Sequence, residues 1–509
     1  MTNPEQPGAT PDGGREAAVM SVRGAAVWAM SGQYISFGIQ FVSSVLISRF
    51  FLAPAEVGLF SIAMAAALLA SVLQDFGLVR YIASLPVVTP DEIKRCSSVS
   101  VTFSLLVAGS IALTAFPMAR AYGHPDLMPI MLIIACSYLF NPFSVVPMAL
   151  LGRTMSFHSH FAINVSGAVA QAVVALALAA MGFSAFSLAW GTLASGMARG
   201  LVAQVIRPAL PLPFSLKGTR SVIGAGSRLS SLYLIGALGN RTPDMVVGKI
   251  LGLIAVGLYS RAASLSEQFR ILISGAIGSV FFPAFARIRD RGESLAPAYL
   301  RVCAGYSAVI WPGMAGLAMA AEPIVRMLYG PKWAGVSPLL SLIAIMDILL
   351  ISLPLANDIP ILLGRLNRLT VYNVIDTTMS IALLVAGSML GGVEGAAASR
   401  LVYAVAWIAL YARFLQSLIG FSPRDLLTIY AKSTLATAAA ILPMTLVYTL
   451  LVPPDAIDFF TLAAASAAGV VLWFVTLVVT RHPALHDLLA LSEALPMVGP
   501  IGRRLLRYV

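Results

Sequence analysis

The chain has 509 residues, 59% of them hydrophobic and only 11% charged, with a mean hydropathy of +0.88. Soluble domains carry about 25% charged residues, and a soluble fold of this length could not hide so much apolar surface. Unbroken apolar runs of about 20 residues fit membrane helices and not the ten-residue alternation of barrel strands. The formal net charge of +11 at pH 7 reads as loop charge that sets membrane topology, with no nucleic-acid partner implied.

Residues 1–22 are polar and rich in Gly and Pro, which predicts a disordered cytoplasmic tail with no cleavable signal peptide before the first span. Spans are then expected at about 25–50, 55–79, 96–117, 126–150, 159–181, 184–206, 222–240, 252–285, 298–320, 335–363, 371–390, 393–418, 431–453 and 459–480. About fourteen transmembrane helices make an all-α polytopic membrane protein. An even number puts both termini on one side. With that side inside, about 22 Lys and Arg residues fall on inner segments against about 6 on outer ones, so both termini are expected in the cytoplasm.

The divisions that follow are an N-lobe over 23–207 (spans 1–6), a cytoplasmic linker at 208–220 and a C-lobe over 221–420 (spans 7–12). Two further spans occupy 421–481. The tail at 482–509 has leucines at helical spacing and ends in Arg503, Arg504 and Arg507, the pattern of an interfacial amphipathic helix on an anionic leaflet. One internal echo supports the two lobes. Val57-Gly58-Leu59-Phe60-Ser61 returns as Val256-Gly257-Leu258-Tyr259-Ser260 at the start of spans 2 and 8. An offset of six spans predicts parallel repeats about an axis along the membrane normal.

Motifs for covalent chemistry are missing from the sequence. There is no G-x-x-x-x-G-K-[ST] loop, and Gly224-Ala225-Gly226 lacks the third glycine and strand of a dinucleotide site. Cys96, Cys136 and Cys303 have no metal-ligand spacing. His158 and His160 sit two apart on different helix faces and read as interfacial, so no metal site is expected. Loops this short leave no room for an extramembrane catalytic domain. A non-enzymatic role without cofactors follows, with any uphill transport driven by an ion gradient (H+ or Na+) or the membrane potential.

What remains is polarity inside the bilayer. In span 1, Gln33, Ser36, Gln40, Ser43 and Ser44 fall within a stripe of about 100°. That stripe either hydrogen-bonds to neighbouring helices or walls a hydrated cleft. Span 8 carries Arg261, Glu267 and Arg270. Glu267 and Arg270, three apart, can pair. Arg261 points about 120° away from Glu267, so an acid elsewhere (Asp75, Asp244, Asp347, Asp358 or Asp376), water or an anionic substrate must compensate it. Arg228 in span 7 either snorkels to the cytoplasm or faces the cleft, Arg199 in span 6 reads as structural, and Arg400 has Glu394 nearby as a mate. Intramembrane ionisable residues are functional by default. The excess of arginine over acid in spans 7 and 8 points to an anionic cargo, phosphate or pyrophosphate, whose oxygens match guanidinium forks. Arg261, Arg228, Arg270, Gln33 and Gln40 are the candidate substrate contacts, and Asp75, Glu267, Asp244 and Arg400 the coupling or ion-pair candidates.

The run from Val256 to Ala262, then Phe281-Phe282-Pro283-Ala284-Phe285, then Tyr299-Leu300-Arg301, resembles bacterial polysaccharide transporters of the Wzx type. Leu328-Tyr329-Gly330-Pro331-Lys332-Trp333 with Pro338-Leu339-Leu340 carries the same resemblance, as do Glu56 to Phe60 and Asp75-Phe76-Gly77-Leu78. These transporters belong to the oligosaccharidyl-lipid flippase superfamily with the MATE exporters and MurJ, and the likeness is nearest the succinoglycan, colanic-acid and teichuronic-acid branch. It implies alternating-access transfer of undecaprenyl-pyrophosphate-linked oligosaccharide across the bacterial inner membrane, for exopolysaccharide, capsule or O-antigen synthesis. Implied partners are the lipid-linked oligosaccharide, membrane lipids, and the polymerase and chain-length regulator of the same pathway. It also implies that spans 1, 2, 7 and 8 line the cavity. A MATE-like antiporter of small molecules is the alternative, and it predicts a cleft dominated by carboxylates. A membrane-embedded polymerase or glycosyltransferase would need long outer loops.

Overall fold

In lipid every backbone N–H and C=O must be satisfied within the chain, so long apolar runs become helices. The computed structural model describes residues 22–72, 78–85, 88–209, 239, 242–274 and 281–493, and no strand occurs among them. The first group of helices is α1 (Val22–Leu46, continued by a π-turn to Phe51), α2 (Pro54–Ser71), α3 (Leu78–Ser84), α4 (Pro90–Tyr122), α5 (Leu127–Tyr138), α6 (Pro142–Arg153), α7 (Phe157–Ala180) and α8 (Phe186–Ile206). After it come α9 (242–251), α10 (Leu253–Ser274), α11 (Phe281–Asp290), α12 (Ala296–Met319), α13 (Ala321–Tyr329), α14 (Val336–Ile351), α15 (Asp358–Leu362) and α16 (Leu366–Ile419). The chain continues with α17 (Pro423–Leu450), α18 (Phe459–Val479) and α19 (Leu485–Glu493). The expected span at 222–240 lies outside the described residues apart from Gly239, and Arg228 and Asp75 lie outside them too.

Nine helices among the described residues are long and apolar enough to cross a membrane. Their outward faces carry Leu113, Leu390, Val205 and Phe460, each at least 80% exposed, a belt that only lipid can solvate. The chain is a multi-pass helical membrane protein. Helix α16 is a hairpin. Non-helical Gly391 and left-handed Gly392 break it, and Gly387 faces the Gly395 carbonyl so closely that a Cβ would lie 2.4 Å from it. The two arms are tied by Tyr411, whose hydroxyl donates to Asn373 Oδ1 at 2.7 Å.

Within the first group α7 packs along α1 and α8, and within the second α12 and α14 pack with α10 and α16. The groups meet where α2 crosses α10, and the repeated pentapeptides are the contact. A Cβ on Gly58 would lie 2.1 Å from the Leu253 carbonyl, and one on Gly257 would lie 1.8 Å from the Pro54 carbonyl. Ser61 and Ser260, equivalent in the two copies, share a hydrogen bond of 2.8 Å. Reciprocal contacts of this kind are what a two-fold axis between parallel repeats produces. Glycine is required at both positions because the backbones touch.

The same end of the molecule is pinned by further bonds between the groups. Trp333 Nε1 donates to Ser48 O at 2.8 Å, Tyr122 Oη donates to Met245 O at 2.8 Å, and Arg49 and Lys249 donate to the Met327 and Ala121 carbonyls. Helices α17 and α18 sit at the periphery. Only 17% of each apolar stretch is buried, against 50% for α12, on which α17 packs. Beyond α18 the chain turns back. Leu485 and Leu489 of α19 are buried against residues of α12, α17 and α18, so these tail leucines face protein and not a leaflet.

Candidate functional site

A cavity of about 440 Å3 opens just beside the glycine crossing, walled by α1, α2, α7 and α8 on one side and by α9, α10, α14 and α16 on the other. The helix 1 stripe supplies Gln40, Ser43 and Ser44 to its wall. Arg261, Ser264, Glu267 and Gln268 project from α10, Asp244 comes from α9 and Arg400 from the second arm of α16. Five sequence candidates, Gln40, Asp244, Arg261, Glu267 and Arg400, therefore share one chamber. Their separation along the chain spans the whole fold, and the crossing of the two repeats brings them together.

Arg261 is the unusual member. Its guanidinium donates to Ser44 Oγ and lies 5.5 Å from the Tyr329 ring centre and 5.6 Å from that of Trp333. Among the described residues no carboxylate forms an ion pair with it, and its Nε is buried without a hydrogen-bond partner. Aromatic faces and a hydroxyl hold a cation in place but do not neutralise it. The rings come from the Leu328–Trp333 motif, whose role beside Arg261 had no local signal, since about seventy residues separate them.

Arg270, nine residues further along α10, has the opposite setting. It lies 3.9 Å from Glu267 and 3.9 Å from Asp347, and it is absent from the cavity wall. Asp347 is buried and also accepts from Ser266 Oγ at 2.7 Å. The expected i,i+3 pair with Glu267 is present, and Asp347 of α14 is the partner that helical spacing could not supply. Arg400 turns away from Glu394. It donates to Ser380 Oγ at 2.6 Å and stacks 4.3 Å over Tyr403, and its charge acts on the Asp376 and Asp347 carboxyls.

A second cavity of about 420 Å3 lies between α1, α7 and α8. The helix 1 stripe continues into it through Gln33 and Ser36, and Gln40 lines both chambers. Asn164 and His160 of α7 and Arg199 of α8 complete its polar lining. Sequence reading placed His160 at an interface and Arg199 in the scaffold, because nothing local ties residues 39 apart on two helices to one space.

A family model described as polysaccharide biosynthesis protein matches residues 46–338. The chain is 26% identical over 498 residues to the succinoglycan biosynthesis transport protein ExoT of Rhizobium meliloti (strain 1021), covering 93% of this chain and 96% of that one. It is 23% identical over 409 residues to the lipopolysaccharide biosynthesis protein WzxC of Escherichia coli (strain K12), covering 79% and 82%. Among solved structures, the lipid II flippase MurJ in an inward closed conformation matches with a TM-score of 0.71 at 14% identity, covering 89% of this chain and 99% of that one. At that identity the likeness shows a shared fold.

Proposed function

The chain belongs to the polysaccharide biosynthesis protein family, and on that premise we propose that it moves undecaprenyl-pyrophosphate-linked oligosaccharide units across the bacterial inner membrane by alternating access. The observation that carries this reading is Arg261, an embedded cation in a chamber between two repeats with no carboxylate pairing it among the described residues. A pyrophosphate bridging to that guanidinium offsets the dehydration of both charges, which neither could bear alone. The lipid tail stays in the bilayer, and only the head group needs the wet path along the helix 1 stripe.

The mechanism contains no covalent step. Two lobes that meet at a glycine crossing can rock about it, exposing the chamber to one side and then the other. Loading occurs on the cytoplasmic side and release on the outer one. Direction comes from an ion gradient or the membrane potential, and Asp244 and Glu267 on the cavity wall are the groups for such coupling. The polymerase and chain-length regulator of the same pathway take up the product. A small-cation antiporter fits less well, since carboxylates do not dominate the wall: Arg261 and Arg400 equal Asp244 and Glu267 in number.

The experiment is a strain lacking the gene. Lipid-linked oligosaccharide accumulating on the cytoplasmic face, with loss of surface polysaccharide, is the expected result. Unchanged polysaccharide together with raised drug sensitivity would overturn the proposal in favour of antiport.

A further inference from the structure

The chamber between α1, α7 and α8 has a chemistry of its own. Three amide side chains, Gln33, Gln40 and Asn164, line it with Arg199 and His160, and among the described residues no Asp or Glu contributes to the wall. Phe37, Phe157 and Phe161 supply aromatic surface in the same space. Three of its polar atoms, Ser36 Oγ, His160 Nε2 and Arg199 Nε, are buried without a hydrogen-bond partner. A wall that combines three amides, an imidazole and a guanidinium with aromatic rings suits a ligand that is polar at its edges and apolar on its faces. Gly167 makes room for the arginine, since a Cβ there would lie 2.4 Å from Arg199 Nε. The fold thus holds a guanidinium against a glycine where it meets no acid among the described residues.

From this geometry we infer that the chamber is a saccharide site, selective for a sugar bearing a carboxylate. Amides both donate to and accept from hydroxyls, and aromatic rings take the C–H faces of a pyranose. A guanidinium fork takes a carboxylate bidentately. Because Gln40 belongs to both chambers, the glycan occupies this one while the pyrophosphate of the same molecule meets Arg261 in the other. This assignment rests on the proposed function above and adds to it the charge of the glycan and where it binds.

Trp28 gives a local reporter, with its ring 5.3 Å from that of Phe161 in an edge-on contact. Three probes are titrated into full-length protein in detergent. They are the free oligosaccharide released by mild acid from the lipid-linked material of the deletion strain, its carboxyl-reduced derivative, and inorganic pyrophosphate. The oligosaccharide is expected to change Trp28 emission, a change absent in Trp28→Phe. Arg199→Gln should weaken its binding about tenfold or more, the loss of one charge-assisted fork, with Arg199→Lys intermediate and Asn164→Ala also weakened. Carboxyl reduction should cost the wild type the same factor and Arg199→Gln nothing further. Pyrophosphate should bind the Arg199 variants normally and be lost in Arg261→Ala. Oligosaccharide affinity within twofold of wild type in both Arg199→Gln and Asn164→Ala would overturn the site. Equal binding of the carboxyl-reduced sugar would overturn the charge assignment. Either result with pyrophosphate binding intact leaves the flippase reading standing. A deletion strain that accumulates no lipid-linked oligosaccharide removes both.

Discussion

Helix α10 carries two arginines nine residues apart that meet opposite surroundings. Around Arg270 the lobe provides two carboxylates, Glu267 and Asp347, and the charge is balanced within the scaffold. Around Arg261 stand two aromatic rings of its own lobe and a serine of the other, and the charge is held without being balanced. The same residue type on the same helix therefore does two jobs, one holding helices together and one waiting for an anion. The difference lies in what the facing helices present. Helix α14 meets the Arg270 end with an acid, while the Arg261 end faces the hydroxyls of α1 across the lobe boundary.

If that contrast is right, substitutions at the two sites should separate transport from stability. Arg261→Ala is expected to lower transport per molecule by about a hundredfold, the loss of two charge-assisted hydrogen bonds to phosphate. The amount of folded protein in the membrane should stay near normal, and Arg261→Lys should recover part of the loss through its charge. Flipping of lipid-linked oligosaccharide in reconstituted vesicles measures the first quantity and detergent-solubilised yield the second. Full transport by Arg261→Ala would break the contrast. Arg270→Ala should act in the other direction, leaving Asp347 buried and unpaired at a cost of about 3 kcal/mol. Its yield and thermal midpoint should fall, and a second change, Asp347→Asn, should restore them.

A third substitution tests why the two ends differ at all. Gly257 stands one turn before Arg261, and a Cβ on it would lie 1.8 Å from the Pro54 carbonyl of the other repeat. Gly257→Ala should force the lobes apart at the crossing and destabilise by about 1–3 kcal/mol, the usual penalty of overpacking. The disturbance should reach the Ser61–Ser260 bond and the Arg261 setting but leave the Arg270 pair alone. Cysteine crosslinking between positions 61 and 260 should then lose efficiency, and unchanged crosslinking would show that the crossing tolerates a side chain.

Much of this was legible in the sequence, for physical reasons that can be named. Apolar length gave the helical class, and Gly391-Gly392 falls in the gap between the expected spans 371–390 and 393–418, where the hairpin turns. Helical periodicity placed Arg261 on a different face from Glu267, and the i,i+3 rule paired Glu267 with Arg270. The echo of Gly58 in Gly257 marked equivalent helices before their contact was visible. Partners that lie on other helices were out of reach. Asp347 beside Arg270, Trp333 over Arg261 and Ser380 beneath Arg400 are tertiary neighbours with no periodic relation to the residue they serve. The second chamber was half hidden for the same reason: Gln33 and Gln40 read as candidate contacts, but His160 and Arg199, which join them from α7 and α8, read alone as interfacial and structural. The pathway of Arg228 and Asp75 belongs to residues outside those described.

A buried base outside the spans extends the comparison to a group that avoids charge altogether. His482 follows α18 and is almost fully buried. Its Nδ1 accepts from the Ala484 N–H at 3.1 Å, so the neutral ring carries its proton on Nε2 and donates to Ser433 Oγ at 2.9 Å. Ser433 is hydrogen-bonded in turn to Ser307 of α12 at 2.8 Å, which ties α19 and α17 to the lobe. Burial, reinforced by the Lys432 charge, lowers the His482 pKa from 6.5 to about 4. A base with a depressed folded pKa binds its proton more readily when unfolded, so folding stability falls as pH drops from about 6.5 toward about 4. Acidifying from pH 7 to pH 5 should therefore remove about 2 kcal/mol at this site. The thermal midpoint measured across that range should fall in the wild type and fall less in His482→Gln, which keeps a donor for Ser433 but cannot titrate there. A wild-type curve no steeper than the variant's would mean that water reaches the ring and that the end of α18 is looser than the buried hydrogen bonds require. Arg261 differs in kind. It stays charged at every pH in the range, so flipping per folded molecule should follow the substrate's ionisation and not that of His482.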